Sequence, residues 1–286
     1  MNKRTLVAIL PAVLLAAGCY PMEEHTAHFE RTWPAADIKR LEVREVSGTI
    51  NIDGDSPNEV RMVAQVRARG VRPDPSAENQ GYFRSELEDG TLLLRTRDSR
   101  NDHFFFGPDI RVDYDLHVPP QVALELRTVN GRIETHAIAG EVSATTVNGA
   151  VDLETTGSNE MEANTVNGRV KARFLNDFHG ARLRAVNGRI TAVLPPTASF
   201  YGDFTQVNGD FEAAFPLNIH SNPGSRRVSG DVNGGRYPLR ITTVNGDIKI
   251  DNAPAAPPAP AAPSAPAAHS APAAPPAPPA APAPRT

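Results

Sequence analysis

The tripeptide Val-Asn-Gly recurs seven times in the second half of this chain and constrains its fold more than any other feature. Its asparagines are Asn130, Asn148, Asn167, Asn187, Asn208, Asn233 and Asn245, with spacings of 18, 19, 20, 21, 25 and 12 residues. A near-constant period of about 20 residues indicates a repeat architecture, because one unit of this size cannot bury a core alone. The sequence therefore predicts units that stack on one another.

The segments around the tripeptide alternate between apolar and polar residues, which is typical of half-buried strands. Asn-Gly permits the positive φ angles of a tight reversal, and that suits a hairpin as well as a solenoid. However, Thr-Val also recurs directly before Asn-Gly, at 128–129, 146–147, 165–166 and 243–244, and an antiparallel meander gives no reason for this. Identical residues stacked about 4.8 Å apart form ladders, and asparagine ladders hydrogen-bond along the stack.

We therefore predict an all-β fold, specifically a β-solenoid of single-stranded, β-helix-like coils, with the seven asparagines as a structural ladder. The alternative is an antiparallel β-meander or sandwich. A weaker copy, Val-Ser-Gly-Thr-Ile at 46–50, carries Ser47 in place of asparagine. We expect the stack to begin there, so that residues 37–252 form one repeat domain and residues 54–120 supply insertions or an end cap.

The N-terminus has the pattern of an export signal. Lys3 and Arg4 precede an apolar run that is too short for a membrane-spanning helix, which needs about 20 residues. We predict a signal peptide at residues 1–18. The string 15–19, Leu-Ala-Ala-Gly-Cys, resembles the lipobox of bacterial lipoproteins, and Cys19 is the only cysteine.

That resemblance implies cleavage between Gly18 and Cys19 and acylation of Cys19, with palmitate among the acyl groups. Several acyl chains hold a protein stably on a membrane, whereas a single chain does so only marginally. Residues 19–36 then form a tether. Because Tyr20 stands where an aspartate would retain the protein at the inner membrane, the resemblance implies an exported lipoprotein of the outer membrane, facing the periplasm or the surface.

Charge and composition describe the rest of the chain. Without residues 1–18 the formal charge falls from −4 to −6, and we expect no nucleic-acid partner because nonspecific affinity depends on neutralising phosphates. The segment 253–286 contains 13 prolines in 34 residues. Such a composition favours polyproline II and cannot form a packed core, so we predict a disordered Pro/Ala-rich tail.

The repeats also resemble a protein family. Val-Asn-Gly-Arg-Ile, Thr-Thr-Val-Asn-Gly and Val-Ser-Gly-Thr-Ile, following a lipoprotein leader, are similar to a bacterial β-strand-repeat family of unknown function labelled putative adhesin. The resemblance covers about residues 37–251. It implies a β-helix-like fold and, more loosely, adhesion.

The sequence carries no recognisable catalytic machinery. The eight histidines are scattered, and Gly-x-Ser-x-Gly and phosphate-cradling loops are missing. We predict no enzyme activity and no catalytic, metal or cofactor site. Arginines that directly follow the tripeptide form a candidate anion strip for acidic glycans or lipid headgroups, the alternative being a solvated corner; they are Arg132, Arg169 and Arg189.

The predicted function is a non-catalytic, lipid-anchored cell-envelope protein. Its rigid β-repeat stack would serve as a binding, adhesion or scaffolding surface for a glycan or protein of the envelope or cell surface. The alternative is a β-helix enzyme that processes polysaccharides as a lyase or hydrolase.

Overall fold

The computed structural model describes residues 23–69, 82–96, 109–157, 159–217 and 227–253, and these residues form an all-β structure. The all-β prediction is confirmed. The only helical element in these ranges is a single 3-10 turn at Ala35–Asp37. The predicted signal peptide, Cys19 and the tail from residue 254 onward lie outside the described ranges.

The described residues contain twenty strands, numbered in chain order, which form two mixed sheets of ten strands each. The order in sheet A is β1 (Glu24–Pro34), β4 (Glu59–Arg69), β7 (Asp109–His117), β3 (Ile50–Asp53), β9 (Ile133–Ile138), β11 (Val151–Thr155), β13 (Val170–Phe174), β15 (Ile190–Leu194), β20 (Ile248–Asn252) and β17 (Phe211–Ala213). The order in sheet B is β18 (Arg227–Val232), β16 (Phe200–Asn208), β19 (Tyr237–Asn245), β14 (Ala181–Asn187), β12 (Met161–Asn167), β10 (Val142–Asn148), β8 (Ala123–Asn130), β2 (Arg40–Arg44), β6 (Thr91–Thr96) and β5 (Phe83–Glu88).

Each Val-Asn-Gly repeat from β8 to β15 supplies one strand to sheet B and then one strand to sheet A. We call such a pair of consecutive strands a coil. Neighbouring coils pair in parallel and in register, so that Val142 of β10 faces Met161 of β12 and Asn148 faces Asn167. Equivalent residues of successive repeats therefore become neighbours across the sheet.

Alternation along the strands builds the core. In β12 and β13 the buried residues are Met161, Ala163, Thr165, Val170, Ala172 and Phe174, and the residues between them are at least partly accessible. Successive side chains of a strand point to opposite faces, so one face of each sheet joins the core. Full burial of a valine or leucine side chain contributes roughly 1.5–3 kcal/mol, and this is what holds the coils together.

The coil formed by β19 and β20 is out of chain order. β19 pairs in parallel with both β14 and β16, and β20 pairs in parallel with both β15 and β17. The last coil is thus inserted between two earlier ones, and β18 runs antiparallel along the outer side of β16. The additional strand β18, followed by a turn that contains Asn233, accounts for the irregular spacings around Asn233.

The other end of the stack begins earlier in the chain than predicted. β2 and β3 pair in parallel with β8 and β9, while β1, β4 and β5 add antiparallel strands beyond them. The tether predicted for residues 19–36 is therefore wrong for Glu24–Pro34, which form β1. Alternation accounts for the strand, because Ala27 is buried and Phe29 and Trp33 pack against the core. None of the described residues belongs to a helix with the length and hydropathy needed to span a membrane.

Candidate functional site

Six of the seven asparagines form a continuous hydrogen-bonded row, the asparagine ladder, where the strands of sheet B end. Five of the six side-chain Nδ2 groups donate to the Oδ1 of the neighbouring asparagine, at 2.8–2.9 Å, and Asn130 only accepts. The order across the sheet is Asn130, Asn148, Asn167, Asn187, Asn245 and Asn208, and every amide donates towards the Asn130 end. Aligned hydrogen bonds of this kind polarise and strengthen one another.

Asn233 does not belong to the ladder, and its assignment from sequence is wrong. It has a φ of 49° in the turn after β18, and its Nδ2 donates to the Ala198 carbonyl at 2.9 Å. The signal that separates it is already in the sequence. Every ladder asparagine is followed three residues later by Ile, Val or Phe that starts the next strand, whereas Asn233 is followed there by Arg236.

The glycines of the tripeptide form a second row, which is required by close backbone approach. A Cβ on Gly149, Gly168 or Gly188 would lie well under 3.0 Å from the carbonyl oxygen of the equivalent glycine in the adjacent coil. The threonines before the tripeptide stabilise the same contact between coils. For example, the Thr146 hydroxyl donates to the Gly131 carbonyl at 3.2 Å. The tripeptide is thus a structural corner, and its repetition follows from stacking.

The valines of the tripeptide form a third row, the valine row, which faces solvent. The exposed fractions lie between 38% and 45% for Val129, Val147, Val166, Val186, Val207 and Val244. Their strands are neighbours in sheet B, so the six side chains make one apolar stripe beside the asparagine ladder. Isolated exposed apolar residues are ordinary, but an aligned series marks a candidate interaction surface. The sequence indicates this row because four of the six valines directly follow a threonine that points inward, so that the valine itself points outward.

The arginines of the predicted anion strip are each paired with a carboxylate. Arg132 contacts Glu134 at 2.8 Å, Arg169 contacts Asp152 at 3.0 Å and Arg189 contacts Asp247 at 2.8 Å. Arg169 and Arg189 directly precede the neighbouring strands β13 and β15, whereas Ala150 separates Arg132 from Arg169. The strip therefore carries little uncompensated positive charge.

Residues 122–251 match the Toastrack DUF4097 family model. We call residues 122–251 the Toastrack segment. It begins just before β8 and contains the whole asparagine ladder, and the resemblance to a bacterial β-strand-repeat family is confirmed. No curated protein matches the chain.

Several solved structures are similar to the chain. One is a putative cell adhesion protein from Clostridium sporogenes, with 11% identity, a TM-score of 0.44, and coverage of 80% of this chain and 100% of the other. A putative adhesin from Bacteroides fragilis has 9% identity, a TM-score of 0.27 and coverage of 79% and 97%. A putative lipid binding protein from Parabacteroides distasonis has 9% identity, a TM-score of 0.30 and coverage of 80% and 97%.

A buried carboxyl group lies outside the Toastrack segment, directly after β2. Glu45 is 4% exposed and accepts a hydrogen bond from the Ser47 amide at 2.9 Å and another from the Thr96 hydroxyl, which itself lies 2.9 Å from the Tyr114 hydroxyl. Burial raises the pKa of Glu45 to about 7, although the hydrogen bonds from Thr96 and the backbone oppose the shift. The sequence indicates this burial, because Glu45 lies two residues after Val43, which points into the core, and alternation along the strand makes Glu45 point inward as well.

Three potential metal ligands meet on the outer face of sheet A, also outside the Toastrack segment. Oxygen or nitrogen atoms of Asp53, Asp115 and His117 lie within 4.8 Å of one another. No spacing in the sequence indicates this cluster, because β3 and β7 come from distant parts of the chain and meet only through strand pairing. Nδ1 of His117 lies 2.8 Å from Asp55 Oδ1, so one ring nitrogen is already engaged.

Proposed function

We propose that this protein is a non-catalytic, lipid-anchored lipoprotein of the bacterial cell envelope whose Toastrack stack acts as a binding surface for adhesion or scaffolding. The observation that carries the proposal is the valine row beside the asparagine ladder. Paired arginines leave this edge with apolar and neutral polar groups, which suit a macromolecular partner better than catalysis.

We infer further that the parallel coils make a β-solenoid. One strand per sheet in each coil, parallel pairing and the ladder of identical amides all support this arrangement. Five steps of about 4.8 Å make the valine row roughly 24 Å long. An extended partner, such as a glycan strand or a peptide segment, matches a surface of that length and narrow width.

Lipid anchoring is the first testable part of the proposal. We expect the N-terminus of the purified protein to be Cys19, with residues 1–18 removed and acyl groups, including palmitate, attached. Intact-protein mass spectrometry followed by peptide mapping measures this directly. A Cys19→Ser variant should lose the added mass and leave the membrane fraction. An unmodified thiol at Cys19 would remove the anchor from the proposal.

The binding edge has a separate test with purified peptidoglycan sacculi as the probe. We expect saturable co-sedimentation of the protein with sacculi and no new reducing ends or unsaturated sugars. The triple substitution Val147→Thr, Val166→Thr and Val186→Thr should weaken binding about tenfold or more, because threonine keeps the shape and strand propensity of valine but removes apolar contact area.

The matched control is Leu87→Thr with Leu175→Thr, since both leucines are about as exposed as the valines, at 40% and 39%, and lie outside the row. This control should bind like the wild type. Equal binding by the valine variant would place the contact elsewhere, and new reducing ends would favour the polysaccharide-processing alternative.

A further inference from the structure

A basic cavity of about 340 Å³ lies at the end of the stack where the asparagine ladder begins. Strands from both sheets line it with Glu24, Ser47, Arg67, Arg69, Arg111 and Asn130. Three guanidinium groups and one carboxylate therefore share its walls. Strand pairing brings these residues together, because Arg67 and Arg111 are partners across β4 and β7 and Ser47 bridges to Asn130.

The ion pairs at this cavity leave positive charge in excess. Asp113 accepts hydrogen bonds from both Arg67 and Arg111, and Glu24 lies 3.3 Å from Arg69. Two carboxylates thus face three guanidinium groups. Although burial acts to raise the pKa of Asp113, the Thr49 amide and the two arginines hold it below the usual value, so the carboxylate stays charged at neutral pH.

The arginine N–H groups at this cavity also have too few hydrogen-bond acceptors. Nε of Arg67 is buried and has no hydrogen-bond partner in the described part of the chain. A guanidinium has five N–H donors, and one carboxylate shared by two guanidiniums cannot satisfy them all. An oxyanion with several acceptor oxygens would supply what the cluster lacks.

The asparagine ladder adds a directed donor at the same place. Asn130 accepts from Asn148, its own Nδ2 has no protein acceptor within the described ranges, and the residue lines the cavity. Because every amide of the ladder donates in the same direction, the row ends at the cavity with its positive, N–H-bearing end. Dipoles aligned in this way favour a negative charge at that end.

We propose that this cavity binds a phosphate-bearing anion through Arg67, Arg69, Arg111, Ser47 and Asn130. Arginine forks match phosphate oxygens in bidentate geometry, and the serine hydroxyl and asparagine amide supply neutral donors. The phosphate is either that of a lipid headgroup or a free phosphate.

Binding of a lipid headgroup phosphate in this cavity rests on the proposed lipid anchor. Glu24, a wall residue, follows Cys19 by five residues in sequence, and five residues span at most about 18 Å. An acylated Cys19 therefore keeps the cavity within that reach of the membrane surface, where headgroup phosphates are concentrated. A free phosphate needs no anchor.

The test is calorimetric titration of the full chain in a non-ionic detergent and a phosphate-free buffer. One arm uses inorganic phosphate and the other uses glycerophosphoglycerol, the soluble diester headgroup of phosphatidylglycerol. We expect saturable binding in at least one arm. Tighter binding of the diester identifies a lipid headgroup, and binding of inorganic phosphate alone identifies free phosphate. Absence of saturable binding in both arms overturns the proposal.

Two variants locate the site. Arg69→Gln with Arg111→Gln should weaken binding tenfold or more while leaving Asp113 paired with Arg67. Asn130→Asp should have a similar effect, because aspartate still accepts from Asn148 but donates nothing and adds negative charge. The far-ultraviolet circular dichroism of each variant shows whether it has folded.

The matched control is Arg169→Gln with Arg189→Gln, which removes two exposed, carboxylate-paired arginines elsewhere on the stack. It should bind like the wild type, and an equal loss in this control would show that binding is nonspecific charge attraction. An unacylated Cys19 would contradict the lipid anchor and the assignment of the phosphate to a lipid headgroup. The titration with inorganic phosphate would still test the cavity independently of the anchor.

Discussion

Replacing Gly188 by alanine should prevent its coil from packing against the neighbouring coil that contains Gly168. A Cβ at this position would lie well under 3.0 Å from the carbonyl oxygen of Gly168, and neither backbone can retreat without breaking the pairing of β14 with β12. The Thr243 hydroxyl donates to the Gly188 carbonyl at 3.3 Å, so a shift would disturb the next coil as well. We expect a loss of about 3 kcal/mol or more in the free energy of unfolding, or failure to fold.

The control for this prediction is Gly234→Ala. Gly234 has a φ of 88° in the turn after β18, but a Cβ there would meet no atom within 4 Å. The Gly234→Ala substitution therefore tests backbone strain without a steric clash, and it should lower the free energy of unfolding by only about 1–2 kcal/mol. Urea denaturation of both variants measures the difference. Equal losses would mean that close approach at Gly188 costs no more stability than backbone strain in an open turn, and would contradict the prediction.

Replacing Glu45 by glutamine should stabilise the protein at alkaline pH. Glutamine can accept from the Ser47 amide and donate to the Thr96 hydroxyl oxygen, so the buried hydrogen bonds survive without a charge. In the wild type, burial raises the pKa of Glu45 to about 7 from 4.5. Ionisation of this carboxyl is therefore easier in the unfolded chain than in the folded protein.

The sign of the pH dependence follows from proton uptake. Between about pH 4.5 and 7 the folded protein holds a proton on Glu45 that the unfolded chain has released, so the stabilising contribution present below pH 4.5 is lost as the pH rises through 7. At pH 8 the Glu45→Gln variant should be more stable than the wild type by on the order of 3 kcal/mol. Near pH 4 the two should be similar.

Urea denaturation at pH 4, 6 and 8 checks this prediction, with Glu42→Gln as the control. Glu42 is on the outward face of β2 in contact with Arg44, so its removal should leave the pH dependence of the wild type intact. The prediction fails if the difference between the Glu45→Gln variant and the wild type does not change with pH.

The sequence allowed the repeat unit to be predicted because stacking forces equivalent residues together. Asn148 and Asn167 must match if their side chains are to bond, and Gly149 and Gly168 must match if the backbones are to touch. A tripeptide that recurs for these reasons is visible without coordinates.

The parts that could not be predicted depend on order and on long-range pairing. The position of the last coil could not be predicted, because the tripeptide is the same in every coil and does not specify which coils are neighbours in the sheets. The basic cavity joins Arg67, Arg111 and Asn130 from three separate strands, and no local spacing connects them. The role of residues 24–34 was missed because a short alternating segment beside a leader looks like a linker until β4 is there to pair with it.

The inserted coil has a consequence for biogenesis. If the chain is exported as proposed, it crosses the membrane from its N-terminus, so β16 and β17 arrive before β19 and β20, which separate them from β14 and β15 in the sheets. The stack therefore cannot be completed by simple end-on addition during translocation. Residues 237–252 must then enter between strands that precede them in the chain, and a chain cut short before this segment would leave the edges of β14, β15, β16 and β17 without these partners and able to pair with other molecules.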